Sequence, residues 1–386
     1  MKCPLSLLVL LGALLSPLAL TACASKRPMV MPLVQGLANS AAPRLTQAGN
    51  PAASKLNKYT RWLAQEGDAA AKLAADSRKA DNIVSWQMSH GGFDKNPAAY
   101  DAAWSGMSPR SGWRNKTGEE LGTIDNDATV SEILFLADVF KRGGKTAHRE
   151  SARRALDFIL TMQYASGGWP QVYPERTGTL YSNYVTFNDD AMARVLLLVD
   201  HALQRKAPLD DGFFTPQQYA RLATALERGV DYLVRSQIRQ NGVPTVWCAQ
   251  HDPADYRPRE GRAYELPSKS GKESALVVAF LMTQPQTPEV VASVRAALDW
   301  YRRAGLKDTA YLRNLAREGK NPFVASPGSM VWYRFYELNE DKGFFANRGG
   351  SKFNDIMKLD AERLGGYEWA GSYATPLLEY AASVAY

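Results

Sequence analysis

The sequence predicts a mainly α fold, an incomplete α/α toroid of about three helical pairs whose long loops form a cleft. Three observations predict it. Apolar residues recur at helical spacing along much of the chain, while period-two strand patterns are short and few. A phrase of glutamine, three residues, Gly-Gly and an aromatic is written at Gln87 (QMSHGGF) and again at Gln163 (QYASGGW), with a fainter third version at Gln237 (QIRQNGVP). Each version closes a helical run, and the helix after it opens with polar residues. A helix, a Gly-Gly loop and a helix cannot bury an apolar face alone, so such units stack side by side.

In chain order, Met1-Lys2 and the apolar run ending at Leu20-Thr21-Ala22-Cys23 read as a secretory signal, residues 1–22, of lipoprotein type. Cys23 would then carry the lipid, and the mature chain would be an exported outer-membrane lipoprotein. With Cys3 removed and Cys23 modified, Cys248 is left alone and no intrachain disulfide can form. Residues 23–55 are rich in Ala, Pro and Ser and are expected as a tether. The remainder, 56–386, is expected as one catalytic α/α domain. Helices are expected over Ala128–Lys141, His148–Gln163, Asp189–Leu203, Pro216–Gln237, Glu273–Met282 and Pro288–Arg303. Thr215-Pro216 and Thr287-Pro288 each place a capping hydroxyl before a proline at the first helical position, and Gln218 completes a capping box. Gly-Gly supplies the backbone reversal that ends each helix, and the aromatic packs back on it.

The formal net charge of +7 suggests an acidic partner. No basic helix or zinc-ligand spacing points to nucleic acid, and a chain addressed for export fits an acidic polysaccharide better. Two acid clusters open corresponding helices: Asp125-Asn126-Asp127 in TIDNDAT and Asn188-Asp189-Asp190 in FNDDAM. Helix capping explains each of them singly. As a pair at one mouth, such hard oxygen donors suit Ca²⁺ in an open site built from separate loops. Lys95, Arg262, Arg334 and Arg348 lie among aromatic and glycine residues in the other loops, a setting suited to gripping carboxylates while rings stack on sugar faces. The four histidines form no metal-ligand spacing, and neither a nucleophile elbow nor a phosphate loop is present.

The ordered set QMSHGGFDKN, TIDNDAT, QYASGGWPQVYP, FNDDAM, VPTVWCAQHD, GRAYELPSKSGKES, WYRFYEL and NRGG resembles the pectate lyases of polysaccharide lyase family 10. The resemblance covers 56–386. It implies an α/α toroid-like fold and Ca²⁺-dependent β-elimination of polygalacturonate. On this chain it places the metal ligands at Asp125, Asn126 and Asp189, and catalytic arginines at Arg348, as the base, and Arg262. Substrate contacts fall on Lys95, Arg262, Arg334 and Asp125. Two departures stand out: Asp127 puts an extra negative charge beside the cleft, and Phe93 replaces a tryptophan in the first repeat. A monomer is expected. The competing readings are an α/α-barrel glycoside hydrolase using Asp125 and Asp189, and a non-catalytic pectin-binding surface lipoprotein.

Overall fold

The computed structural model describes residues 36–37, 40–95 and 100–386. The signal segment and Cys23 lie outside the described residues. Helices make two rows. Helices α1 (Ala69–Trp86), α3 (Thr146–Met162), α5 (Pro216–Ser236) and α7 (Pro288–Ala304) form the outer row. Helices α2 (Val130–Gly143), α4 (Ala191–Leu203) and α6 (Glu273–Leu281) form the inner row. Each inner helix packs on the outer helix that follows it, and neighbours touch along both rows. Sequence explains the sorting. Helix α6, ESALVVAFL, is apolar on nearly every side, and all of its residues are buried. Helix α5 carries one apolar stripe, Leu222, Leu226, Val230 and Leu233, and turns its charged face outward. The capping box at Thr215 and Gln218 is present.

The repeated glutamine is a joint between outer helices. Gln87, Gln163 and Gln237 each sit at the C-cap of α1, α3 and α5. Gln87 Nε2 donates to Gly91 O in its own loop at 2.8 Å and to Ser151 O on α3 at 2.9 Å. Gln163 Nε2 repeats this with Gly167 O at 2.9 Å and Ala225 O on α5 at 3.0 Å. Gln237 Nε2 does so with Thr245 O at 2.9 Å and Ser293 O on α7 at 3.0 Å. One primary amide has two donors, and here one holds the loop while the other holds the next repeat. Glycine is required at Gly167, where φ is +106° and a Cβ would stand 2.0 Å from Arg228 O on α5. The third aromatic is Trp247, beyond the segment expected from Gln237 to Pro244. Its indole donates to Leu233 O at 2.7 Å, as Trp169 donates to Ile159 O at 2.9 Å. Phe93, whose ring has no N–H to donate, is likewise fully buried in the first repeat.

Two expectations change. The expected tether, 23–55, lies against the helices from residue 40 onward. Arg44 pairs with Asp200 at 3.0 Å, and Asn50 Nδ2 donates to Ala279 O at 3.0 Å. After α7 the chain also builds more strand than its pattern suggested. Leu306–Tyr311 pairs antiparallel with Phe323–Tyr333, and Phe335–Tyr336 lies between Lys269–Ser270 and Gly343–Ala346. Pro327 and Gly328 disguise the longest strand, because they sit where its register shifts between Ala325 and Met330. Helices α8 (Arg313–Arg317), α9 (Ala361–Gly366) and α10 (Thr375–Ser383) complete the chain. A second core of Phe335, Phe344, Phe345, Leu364 and Trp369 fills this region.

Candidate functional site

Two short strands, Gly122–Thr123 and Val185–Thr186, lead into matching 3-10 turns, Asp125–Asp127 and Asn188–Asp190, that touch each other. Both turns hold two consecutive residues in the left-handed region: Asn126 (φ 50°) and Asp127 (φ 70°), then Asp189 (φ 51°) and Asp190 (φ 66°). Asn and Asp enter that region most readily among residues with side chains, which explains why the turns share a composition.

The last acid of each turn is structural. Asp127 is buried and pairs with Arg194 at 2.5 Å and Lys58 at 2.6 Å. The same Arg194 reaches Asp190 at 3.3 Å and donates to Asp189 O at 2.8 Å, tying the turns together. The charge expected from Asp127 beside the cleft is therefore compensated by two cations.

The other residues of the turns differ in exposure. Asp125 is 3% exposed and accepts from Lys95 Nζ at 2.6 Å. Asn126 is exposed. Asp189 Oδ2 accepts from Asn188 Nδ2 at 2.9 Å, while Oδ1 stands 3.6 Å from Arg334 and 3.7 Å from Lys272, beyond hydrogen-bond reach. Burial would raise the Asp189 pKa, but Arg334, Lys272 and Arg262 outweigh it and hold the carboxyl below its ordinary value. Asp189 is thus an anion with one oxygen open.

Arginines gather on one phenol ring opposite. Tyr264 has the Arg363 guanidinium carbon 4.0 Å from its centroid, Arg262 at 4.8 Å and Arg348 at 5.7 Å. Arg262 is fixed by buried Glu265, with Nε to Oε2 at 3.0 Å and Nη2 to Oε1 at 2.5 Å, which pushes its pKa above the ordinary range. Arg348 stands on the Asn347–Gly350 turn. A Cβ at Gly350 would come within 2.8 Å of Ala263 O, so this turn touches the Arg262 loop. Arg348 is exposed and paired with Glu362, Nε to Oε2 at 2.9 Å and Nη2 to Oε1 at 2.6 Å, and this raises its pKa.

Arg334, expected as a substrate contact on a loop, is a buried residue between two strands. Its Nη2 donates to Glu273 at 2.8 Å and Asn188 Oδ1 at 3.1 Å, and the guanidinium lies 4.7 Å from the Tyr367 ring. It supports the acid turn from beneath. Sequence reasoning missed Lys272, whose Nζ lies between Asp189 and Glu368 (3.5 Å). It also missed Arg363, which is 2% exposed, covered by Tyr264, Tyr367 and Trp369, and has Nη2 buried without a hydrogen-bond partner. Burial lowers the Arg363 pKa. The run Tyr367-Glu368-Trp369 just after it was the available signal.

Among the described residues, no three His, Cys, Asp or Glu side chains converge as a metal cage. Calcium takes roughly six to eight oxygens. Asp125, Asn126 and the open Oδ1 of Asp189 are too few oxygens to enclose it by themselves.

A family model described as pectic acid lyase matches residues 87–378. A mutant of family 10 polysaccharide lyase from Cellvibrio cellulosa in complex with trigalaturonic acid has a similar structure, with 43% identity and a TM-score of 0.78 over 89% of this chain and 100% of that one. Family 10 polysaccharide lyase from the same organism matches equally, over 89% of this chain and 98% of that one. No curated protein matches. The match favours elimination over the hydrolase and non-catalytic readings. The chain therefore belongs to the pectic acid lyase family, the family 10 polysaccharide lyases.

Proposed function

We propose that this pectate lyase cleaves α-1,4-polygalacturonate by Ca²⁺-dependent β-elimination, releasing 4,5-unsaturated oligogalacturonates. The observation that carries the reading is an anionic Asp189 with one oxygen open, acted on by Arg262, which is one of three arginines around Tyr264. The proton to be removed lies on C5, beside a carboxylate whose charge opposes further negative charge. Bound calcium would neutralise that carboxylate and stabilise the enolate character that develops there.

Asp125, Asn126 and Asp189 would be the protein ligands. Lys95 and Arg262 grip the uronate carboxylates, each such charged hydrogen bond contributing about 1.5–3 kcal/mol. Arg348, after giving a proton to solvent, takes the C5 proton as the C4–O bond breaks; the C5–H electron pair forms the C4–C5 double bond, and water protonates the leaving oxygen. The pair with Glu362 keeps Arg348 a cation, so the base role requires the pair to open, whereas charge stabilisation of the enolate does not. Arg334 positions Asn188 and Asp189.

Further proposals rest on sequence and packing together. The helical pairs are three repeats of an incomplete toroid. The chain acts as an exported monomer, anchored in the outer membrane by lipid on Cys23; among the described residues no helix is long and apolar enough to cross a membrane. The test is ultraviolet absorbance of the unsaturated uronate from polygalacturonate, with and without calcium and a chelator. A calcium-dependent rise supports the reading. New reducing ends without absorbance refute it.

A further inference from the structure

The acid turn at Asp125 has a neighbour that the elimination chemistry does not use. The loop ahead of Gly122–Thr123 is a short hairpin closed by the Arg114 and Glu120 bridge, and half-buried Trp113 stands at its base. Lys95, the partner of Asp125, has its Nζ 5.8 Å from the Trp113 ring centroid. Arg176 brings its guanidinium carbon to 5.4 Å from the same centroid.

Arg176 arrives from the other side of this small sheet. Gly122–Thr123 pairs antiparallel with Val172–Tyr173, and Arg176 follows that strand closely. Its backbone is clamped by one side chain: Asn183 Oδ1 accepts from Arg176 N–H at 3.1 Å, and Asn183 Nδ2 donates to Arg176 O at 2.6 Å. The guanidinium, only partly buried, pairs with no carboxylate among the described residues. This differs from Arg262 and Arg348, which are each held by a glutamate. A cation on a fixed backbone, without an anion of its own and beside an aromatic ring, is prepared for an external carboxylate. A sugar ring presents an apolar face to tryptophan and, in a uronate, a carboxylate at its edge.

We propose that Trp113 and Arg176 form a distal subsite for one galacturonate unit, continuous with the catalytic site through Lys95. The subsite rests on the polygalacturonate reading above and adds to it a residue-level basis for preferring longer chains. Trp113 supplies the ring platform, Arg176 binds the carboxylate with its planar fork, and neither residue touches the scissile bond.

The experiment compares trigalacturonate with hexagalacturonate, for wild type, Arg176→Ala, Trp113→Ala and Trp113→Phe, by unsaturated-uronate kinetics and by calorimetric binding. Among the described residues the Arg176 side chain forms no ion pair and its one ring contact is with Trp113, so Arg176→Ala remains a fair test if Trp113→Ala fails to fold. The hexamer-over-trimer preference in kcat/KM is expected to fall about tenfold in Arg176→Ala, the loss of one charged contact, through KM rather than kcat. Trp113→Phe is expected to keep most of the preference and Trp113→Ala to lose it. An unchanged ratio in Arg176→Ala, or an equal kcat loss on both substrates, overturns the subsite while leaving the lyase reading intact. A wild type that neither binds nor cleaves either oligomer overturns the polygalacturonate reading itself, and the subsite with it.

Discussion

Arg334→Met separates support from catalysis more sharply than any other substitution at this site. The Arg334 side chain is 6% exposed and that of its partner Glu273 is 1% exposed. Removing the cation leaves Glu273 with Ser270 Oγ and leaves Asn188 Oδ1 without its donor. Breaking a buried ion pair from one side costs about 3–5 kcal/mol, because a charge stays buried without compensation. The loss of the Asn188 contact adds about 1 kcal/mol. Urea unfolding followed by tryptophan fluorescence should therefore show a fall of about 4–6 kcal/mol, a large share of the total for a typical domain. The double variant Arg334→Met, Glu273→Gln removes the stranded charge and should recover most of that loss. Its activity should stay low, by at least about tenfold in kcat/KM, because Asn188 and Asp189 still lack the group that positions them. An unchanged unfolding midpoint in the single variant would refute the buried pair. A double variant restored in both stability and activity would refute the positioning role.

Other expectations follow from the same geometry. Glu362→Gln removes the anion that raises the Arg348 pKa, so the deprotonated form should appear at lower pH and the rising limb of the pH–rate profile should move to lower pH. A limb that stays in place removes Arg348 as the base. In the wild type Arg348 holds the Glu362 carboxyl below its ordinary value, so their pair is lost only as pH falls through that lowered pKa. Asp189→Ala should raise the calcium concentration for half-maximal rate at least about tenfold, measured by calcium titration of the lyase assay. Gln163→Met removes both donors of a joint between α3 and α5 and should cost about 1–3 kcal/mol in thermal or urea unfolding, with little effect on KM. An unaltered midpoint would mean that the repeated glutamine does not carry the contact between repeats.

The amino-acid pattern alone was sufficient for the six helices from α2 to α7, whereas α1, α8, α9 and α10 were not expected from it. Caps such as Thr215-Pro216, the Gly-Gly stops and the apolar spacing act within a few residues, so each expected helix lies within about two residues of its place. The pattern also located the acid turns and the Arg262 and Arg348 loops, since Asp-Asn pairs and glycines mark unusual backbone locally. The strands after α7 were hidden because most are too short to show a period of two, and their longest member contains Pro327 and Gly328 where its register shifts.

Electrostatics was decided only in three dimensions. Nothing near Asp127 in the chain announces Arg194 and Lys58 as its counter-charges, and nothing near Arg334 announces Glu273. Arg363 reads as a surface residue of a short helix until Tyr264, Tyr367 and Trp369 close over it. Which acids remain open, which cations are already paired and which lie buried depend on distances between separate loops. Helical periodicity and capping are properties of neighbours along the chain, whereas charge compensation is a property of neighbours in space.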